Sequence, residues 1–296
     1  MKQITIISGK GGTGKTTLAS SFIRLADEHI AVDCDVDAAN LHILLSPRVE
    51  KKDDFIGGEV AVVDDNCISC GRCEDMCRFG AIKDSTSHIF IDPIMCEGCG
   101  VCSEICPADA IELRSEKQGE FYISQTDMCP MVHARLDPGA ENSGLLVARI
   151  RNIAEDMAVE NNKKVIIIDG APGIGCPVIA SLNGVDYALI VTEPTLSGIS
   201  DFKKAHELTR FFNIEAFACI NKADINEKNS ALIKDYCHDS GMLLVGEIPY
   251  DEQVPKALSK REFITDLPHS RAGEKIVEIW DVLRDRLYPG AGNNST

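Results

Sequence analysis

The sequence has few positive charges for its size, with 30 Lys and Arg against 46 Asp and Glu and a formal net charge of −16. Because phosphate contacts need clustered Lys and Arg, this shortage argues against a nucleic acid held on a basic face. The sequence also lacks any apolar run of about 18 residues, which a membrane-spanning helix would need. We therefore expect no nucleic-acid partner and no stable insertion into a membrane.

The N-terminus lacks the pattern of an export signal. Residues 1–8 pass directly into an apolar strand pattern, without a charged first segment, a long apolar segment or a small-residue cleavage site. We therefore expect a cytoplasmic protein. Thirteen cysteines are then unusually many, and a reducing compartment favours metal ligation over disulfides as their use.

Short β-branched runs alternate with helical patterns along most of the chain, which predicts a doubly wound, mostly parallel α/β sheet. This rhythm stops near residue 51 and resumes near residue 144. We therefore expect an α/β domain formed by residues 1–56 and 129–296, with an inserted domain at 57–128. The predicted strands of the α/β domain are 4–8, 30–33, 165–169, 187–192, 217–221 and 243–248, and its predicted helices are 15–28, 145–160, 198–212, 226–240 and 271–287.

The predicted insert contains the chain's clear internal repeat. The motif C-x2-C-x2-C-x3-C occurs twice, 29 residues apart, and each copy continues to an Ala-Ile pair. This spacing lets three thiolates of a tight loop surround one corner of a [4Fe–4S] cubane while the fourth points elsewhere. Structural zinc sites, which also use C-x2-C pairs, are the alternative.

The two motifs resemble those of bacterial-type two-cluster ferredoxins, in which the fourth cysteine of each motif ligates the other cluster. The resemblance implies a small α+β fold with two [4Fe–4S] clusters. The second motif keeps a proline after its last cysteine, Pro107, whereas the first has Arg78 there. The implied ligands are Cys67, Cys70, Cys73 and Cys106 for cluster one, and Cys96, Cys99, Cys102 and Cys77 for cluster two.

A glycine-rich loop lies between the first predicted strand and the first predicted helix. It matches G-x-x-x-x-G-K-[ST] in the context that this motif requires. In such a P-loop the backbone N–H groups surround phosphates, Lys15 reaches the β- and γ-oxygens, and Thr16 ligates Mg²⁺. The predicted nucleotide-binding residues are Gly9, Lys10, Gly11, Gly12, Thr13, Gly14, Lys15, Thr16 and Thr17.

The additional lysine, Lys10, gives the variant G-K-G-G-x-G-K-T. This variant resembles the loop of the deviant-Walker ATPases, the SIMIBI-class group of MinD, ParA and the nitrogenase iron protein. Over nearly its whole length the chain is similar to MinD-superfamily ATPases that contain an inserted ferredoxin domain. In that family the lysine contacts the partner's nucleotide, so the resemblance implies an ATP-dependent homodimer. An exposed loop lysine is the alternative.

The same resemblance suggests roles for two aspartates. Asp35, in the segment Asp33–Leu41 after the second strand, is the candidate that positions the attacking water, although a solvated turn is the alternative. Asp169 ends an apolar strand like that of a Walker B segment and should hold Mg²⁺ through water, together with Thr16. The predicted catalytic residues are Lys10, Lys15, Asp35 and Asp169.

Two further segments resemble the base-binding part of this group. Asn221 begins an N-K-x-D pattern whose asparagine contacts adenine in MinD-like proteins, which favours ATP over GTP, although a plain turn is possible. Pro249 lies in a segment that packs over the base in the same group. Cys176 follows Asp169 at an offset similar to that of a cluster ligand in the nitrogenase iron protein. A third, intersubunit cluster held by Cys176 and Cys129 is therefore an alternative to buried thiols.

Three hypotheses for function follow from these motifs. The first is an ATPase that couples its nucleotide state to electron transfer through its clusters, toward a redox or metal-cofactor partner. The second is a maturation factor that inserts clusters or metal into another protein. The third is a spatial switch of the MinD or ParA kind. We expect the C-terminal helix to pack on the sheet, because its polar face mixes acidic with basic residues rather than being enriched in Lys and Arg.

Overall fold

The structure, a computed structural model, describes residues 1–85, 88–140 and 143–289. The described strands are β1 (Lys2–Ser8), β2 (His29–Asp33), β3 (Arg48–Val63), β4 (Ile82–Ser85), β5 (His88–Ile91), β6 (Ile111–Gln125), β7 (Pro130–Leu136), β8 (Val165–Pro172), β9 (Tyr187–Thr192), β10 (Glu215–Asn221) and β11 (Leu243–Ile248). The helices are α1 (Lys15–Leu25), α2 (Leu41–Leu45), α3 (Arg72–Met76), α4 (Val101–Glu104), α5 (Ser143–Glu160), α6 (Cys176–Leu182), α7 (Leu196–Phe211), α8 (Glu227–Ser240), α9 (Gln253–Lys260) and α10 (Arg271–Leu287), with a 3₁₀ turn at Ile264–Asp266.

The chain divides into two compact units. The large unit contains Met1–Lys52, Phe121–Arg135 and Ser143–Thr296, and the small unit contains Asp53–Glu120 and Leu136–Asn142. These bounds differ from the predicted insert, 57–128. Residues 121–128 belong to the large unit because they end β6 and lead into β7.

The main sheet has the strand order β11-β10-β9-β1-β8-β2-β7-β6-β3. The pairs from β11 to β7 are parallel, which confirms the predicted mostly parallel α/β sheet. Strand β7 is absent from the predicted elements, although it pairs with β2 in parallel register. Strand β3, which is 16 residues long, begins at Arg48 and is also absent from the predicted elements.

The core of the large unit lies against this sheet. Strands β1, β2 and β8 are buried along almost their whole length, as their continuous apolar sequences predict. Helix α10 packs its apolar face on the core through Ile276, Ile279 and Trp280, as expected. Helix α1 ends at Leu25 rather than at the predicted residue 28, because Ala26 turns the backbone into an extended conformation.

The two cysteine motifs of the small unit fold into matching structures. Ser69 and Gly98 have φ values of 50° and 60°, and Gly71 and Gly100, 29 residues apart, have φ values of 73° and 75°. Each of these two later glycines precedes a short helix, α3 or α4. The backbone N–H of Cys77 bonds to the Glu74 carbonyl, and that of Cys106 bonds to the Ser103 carbonyl, both at 3.2 Å. The sequence repeat is therefore a structural repeat.

Strands β4 and β5 form an antiparallel pair in the small unit. Just beyond the ends of β3 and β6, the N–H of Asp64 donates to the carbonyl of Ala110 at 2.9 Å. In the sequence, all eight cysteines of the motifs lie between the last residue of β3 and the first residue of β6. Among the residues described, no helix combines the length and apolar character needed to span a bilayer.

Candidate functional site

Lys15, the first residue of α1, is buried between two aspartates. Its Nζ lies 2.6 Å from Asp169 Oδ1 and 3.8 Å from Asp35 Oδ2, and the residue is 5% exposed. Burial alone would lower the pKa of Lys15, but Asp169, Asp33 and Asp35 raise it above its ordinary value. This lysine is therefore a fixed cation that joins the P-loop to the segment after β2 and to Asp169 within β8.

Asp33, the last residue of β2, is absent from the predicted site but organises it. Its Oδ1 accepts the N–H of Asp35 and its Oδ2 accepts the N–H of Leu41, both at 3.1 Å. Burial raises the pKa of Asp33 to about 8, the Asp169 charge adds to this, and Lys15 opposes it. Burial likewise raises the pKa of Asp35 against the charge of Lys15. The sequence signal for Asp33 is the run of three aspartates after a buried strand.

Two buried oxygens of the site have no hydrogen-bond partner among the described residues. They are Oγ1 of Thr13 and Oδ2 of Asp169. Because buried polar atoms are nearly always paired, atoms of this kind indicate a missing ligand. A phosphate oxygen could accept from Thr13, and a water molecule on Mg²⁺ could donate to Asp169. The atoms present therefore fit a nucleotide with its magnesium ion.

Most of the predicted phosphate-binding residues line one open cleft, which we call the P-loop cleft. Its lining combines the loop with the segment after β2, and it also includes side chains of α6 and α9 that no sequence pattern indicates. Ala171 and Pro172, at the end of β8, complete one side. The lining residues are Ser8, Gly11, Gly12, Gly14, Lys15, Thr16, Thr17, Asp35, Asp37, Ala38, Asn40, Ile43, Leu44, Ala171, Pro172, Pro177 and Leu258.

Two predicted residues, Gly9 and Lys10, face α7 rather than the P-loop cleft. A Cβ atom at Gly9 would lie 2.3 Å from Asp201 Cβ, so only glycine fits there. Lys10 Nζ lies 3.3 Å from Thr195 Oγ1 and 3.7 Å from Glu193 Oε2. The side chain of Lys10 is one-third exposed, so this ion pair is weak.

Asn221 supports the backbone of the P-loop. Its Nδ2 donates to the carbonyl of Thr13 at 2.8 Å, and its Oδ1 accepts the N–H of Lys222 at 2.9 Å. Gly14 is in the left-handed conformation, and a Cβ there would lie 2.3 Å from this Nδ2. Pro249 lies away from the P-loop cleft, in a hollow that also contains Ala223. The structure therefore associates Asn221 with the loop backbone and does not bring Pro249 to the P-loop cleft.

The second predicted cysteine quartet lies around one cavity of the small unit. Cys77, Cys96, Cys99 and Cys102 all line it, although Cys77 comes from the other motif. Of the first quartet, only Cys73 lines the same cavity. Burial raises the pKa of Cys102, and the nearby Cys96 and Cys99 add to this rise. Within the parts of the chain that are described, no three Cys, His, Asp or Glu side chains are already arranged as a metal site.

Backbone N–H groups point at several of these sulfur atoms. Cys67 Sγ accepts from Ser69 at 3.4 Å, and Cys96 Sγ accepts from Ala61 at 3.4 Å. Cys106 Sγ accepts from Ala110 at 3.3 Å. Such bonds stabilise thiolates and are one of the means by which proteins tune iron–sulfur clusters. The donor set, eight sulfurs in two motifs, fits [4Fe–4S] clusters better than isolated zinc ions.

The two cysteines considered for a third cluster lie in different surroundings. Cys129 is 2% exposed within the main core, where its N–H and carbonyl bond to Thr126 Oγ1, and burial raises its pKa to about 11. Cys176 is exposed at the start of α6. Cys129 is therefore a buried thiol, as one of the two alternatives expected, whereas Cys176 is not buried. Cys34, Cys219 and Cys237 are also buried.

Known proteins resemble this chain over most of its length. The family described as the CobQ/CobB/MinD/ParA nucleotide binding domain matches residues 4–264. The uncharacterized protein MJ0578 of Methanocaldococcus jannaschii is 35% identical over 286 residues, which cover 96% of each chain. MinD of Pyrococcus horikoshii, solved with Mg-ADP, has a TM-score of 0.58 at 16% identity. The match covers 97% of this chain and 99% of that MinD chain.

A shorter similarity involves a redox protein. One component of the ion-translocating oxidoreductase complex of Methanosarcina acetivorans is 38% identical over 78 residues, which are 26% of this chain and 28% of that component. The full-length matches, the P-loop context and the parallel sheet agree with one another. The chain belongs to the CobQ/CobB/MinD/ParA family of nucleotide-binding domains.

Proposed function

We propose that the protein is an ATP-hydrolysing iron–sulfur protein. The nucleotide state of a homodimer would control electron transfer through two [4Fe–4S] clusters to a redox or metal-cofactor partner. The observation that carries this proposal is the pairing, in one chain, of a buried Lys15 between Asp35 and Asp169 with a cysteine quartet around one cavity. Each feature alone has other uses. Together they favour a function that uses both.

The large unit would bind and hydrolyse ATP. On binding, Lys15 would exchange part of its contact with Asp169 for phosphate oxygens, and Thr13 would donate its free hydroxyl to them. Asp169, relieved of Lys15, would hold the magnesium shell together with Thr16. Asp35 lines the same cleft and is the candidate to orient the attacking water. The products would be ADP and phosphate.

The small unit would hold the clusters, which when bound carry single electrons. Cys77, Cys96, Cys99 and Cys102 would hold one cluster, as their common cavity suggests. By the repeat, Cys67, Cys70, Cys73 and Cys106 would hold the other. Partial similarity to a component of an oxidoreductase complex supports a redox use. Residues 53–120 have 15 acidic and 5 basic side chains, so we expect the partner to dock through a basic face.

Dimer formation would use Lys10 at the edge of the nucleotide site. Nζ of Lys10 forms an ion pair of 3.7 Å with Glu193 and a hydrogen bond of 3.3 Å with Thr195 of its own chain. Both contacts are weak enough to exchange for a partner's phosphate. Asn221 would support the loop rather than contact the base directly. Pro249 would contact the base only after the segment around it moves.

The decisive experiment measures whether the two cofactors communicate. The chain is reconstituted with iron and sulfide under anaerobic conditions, and EPR spectra and reduction potentials are recorded with ADP and then with a non-hydrolysable ATP analogue. We expect about eight irons per chain, binding of both nucleotides, and a potential or dimer fraction that differs between them. Unchanged potentials together with an unchanged monomer would contradict the coupling.

A maturation factor would behave differently in the same preparation. Its clusters would pass rapidly to an apo-ferredoxin added in excess, at a rate that depends on nucleotide. Clusters that serve as permanent electron carriers should stay bound over the same period. A spatial switch would need no iron at all, so its ATPase activity and dimer formation would be identical before and after reconstitution.

A further inference from the structure

Three flat side chains of the large unit form a continuous stack close to the P-loop cleft. The ring of His133, in β7, lies between the rings of His42, in α2, and Tyr122, in β6. Its centroid is 5.9 Å from that of His42 and 4.8 Å from that of Tyr122, with interplanar angles of 9° and 14°. Nearly parallel rings at such distances attract one another beyond the area that they bury. We call this group the His42–His133–Tyr122 stack.

The central ring of the stack is firmly held. His133 is 7% exposed, and its Nε2 lies 3.0 Å from the hydroxyl of Ser124. Burial lowers the pKa of His133 to about 4, and burial together with Arg135 lowers the pKa of His42. Both imidazoles are therefore neutral near pH 7 and stack without repulsion between charges. A displacement of either neighbour would expose or unstack this ring.

The stack is joined to the aspartate that organises the nucleotide site. Asp33 and His133 are register partners across β2 and β7. Asp33 Oδ2 accepts the N–H of Leu41, the first residue of α2, and the next residue, His42, stacks back on His133. These four residues form a closed ring of contacts, so α2 cannot move away from Asp33 without disturbing the stack.

Helix α2 also borders the P-loop cleft. Asn40, Ile43 and Leu44 line the cleft beside Asp35, whereas His42 does not. A nucleotide that changes the position of the segment after Asp35 would therefore move α2. The His42 ring would carry that movement to β7 and β6.

On its other side the stack reaches the strands between which the cysteine motifs are inserted. Tyr122 belongs to β6, and Nζ of Lys52, in β3, lies 5.7 Å from the centre of its ring. The chain leaves the large unit along β3 and returns along β6. This series of contacts connects α2 with both of these strands.

We propose that the His42–His133–Tyr122 stack transmits the nucleotide state from α2 to β6, the strand that returns from the cysteine motifs. His42 is then a positioning residue, which touches neither the nucleotide nor a cluster and acts through His133. The inference rests on the proposed function, because it names the element through which the two cofactors of that function communicate. A physical coupling of this kind requires an element whose arrangement both sites can change, and hydrogen exchange tests whether the stack is such an element.

The test uses hydrogen exchange in the reconstituted holoprotein. Exchange of the β6 amides is measured with ADP and with a non-hydrolysable ATP analogue, in the wild type and in His42→Ala and His42→Phe. We expect the wild type to show a nucleotide-dependent difference in β6. His42→Ala should reduce that difference at least twofold, whereas His42→Phe, which keeps a flat ring in the stack, should retain most of it. Tyr122→Leu removes the stack from the opposite side and should act like His42→Ala.

Nucleotide affinity, measured by fluorescence titration, is the control for an intact site. If His42→Ala binds both nucleotides and keeps the full difference in β6, the inference is wrong while the proposed function stands. If β6 in the wild type does not respond although the cluster potentials do, the signal travels elsewhere and the inference is again wrong. If the wild type binds no nucleotide, the proposed function and the inference fail together.

Discussion

The nucleotide site and the cysteine motifs are stabilised in different ways. Around Lys15, charges are buried and the protein itself supplies their partners, within the large core that extends from Ile4 to Leu287. In the small unit, Cys70 and Cys99 are exposed. Among the residues of that unit that the structure describes, one small hydrophobic cluster consists of Ala61, Cys73, Ile82, Ile89, Ile91 and Ile111.

This difference indicates which part of the chain depends on its ligands for folding. A unit of roughly 75 residues with so small a core gains little from apolar burial, and small domains of this kind usually need metals or disulfides. Five further cysteines, including Cys67 and Cys96, pack against the same cluster. Metal binding would therefore be part of the folding free energy of the small unit, whereas the large unit should fold without nucleotide.

The largest expected effect is that of iron removal. Anaerobic chelation should abolish hydrogen-exchange protection across residues 53–120, whereas β1 and β8 should keep theirs. Cys96→Ser should produce part of this loss. Cys176→Ser, which removes an exposed thiol outside the motifs, should produce none and is the matched control. Retained protection of residues 53–120 in the iron-free chain would show that the small unit, like the large unit, folds without its ligand.

The next largest effect concerns the buried cation of the large unit. Lys15→Ala leaves Asp169 buried without its counter-charge, which should lower the free energy of unfolding by about 3 kcal/mol and abolish nucleotide binding. Urea unfolding, followed by fluorescence of the single tryptophan, Trp280, measures the large unit specifically. Lys10→Ala, at a partly exposed site, should cost less than about 1 kcal/mol. Equal losses of unfolding free energy in the two variants would contradict the burial of Lys15 between Asp35 and Asp169.

Acid should destabilise the large unit through two buried histidines. Burial lowers the pKa of His29 and of His133 to about 4, below the value of about 6.5 in an unfolded chain. Between these values the unfolded chain binds more protons, so stability is complete above pH 6.5 and falls as the pH decreases toward 4. Each histidine accounts for up to about 3 kcal/mol of this loss, at about 1.4 kcal/mol per pH unit.

Trp280 fluorescence during urea unfolding at pH 7 and pH 4.5 checks this expectation. His29→Gln should reduce the difference in stability between the two pH values. His238→Gln, at an exposed position in α8, should leave the difference unchanged and is the control. A His29→Gln variant that loses as much stability in acid as the wild type would show that His29 is not buried as described.

The sequence predicts strands with continuous apolar runs more accurately than strands whose sequences mix apolar with polar residues. Strands β9 and β11 have the predicted bounds residue for residue, because each is a nearly continuous apolar run, although β11 lies at an edge of the sheet and is only partly buried. Strand β7 begins with Pro130 and contains His133 and Arg135, so its sequence lacks such a run. Its burial comes from its neighbours in the sheet, and a pattern confined to one segment does not contain that information.

The same distinction applies to the nucleotide site. Lys15, Asp35 and Asp169 can be predicted because a loop motif and two strand ends identify them. The contacts of Lys10 with Glu193 and of Asn221 with Thr13 join residues more than 180 positions apart. Such contacts depend on which strands become neighbours. The cysteine motifs could be located by their spacing, whereas the assignment of Cys77 to the second quartet came from the resemblance to two-cluster ferredoxins.

The smallest expected effect concerns the hydrogen bond from Asn221 to the P-loop. Asn221→Ala removes the bond from Nδ2 to the Thr13 carbonyl and leaves that carbonyl without its partner. We expect a loss of about 1 kcal/mol in stability and a loss of nucleotide affinity of several fold, equal for ATP and GTP, because the side chain supports the loop rather than the base. Asn161→Ala, which removes an exposed bond to Met157 at the end of α5, is the control. Fluorescence titration with both nucleotides separates the two roles. A loss of affinity confined to ATP would show that Asn221 contacts adenine and that the conformation of the loop does not depend on its side chain.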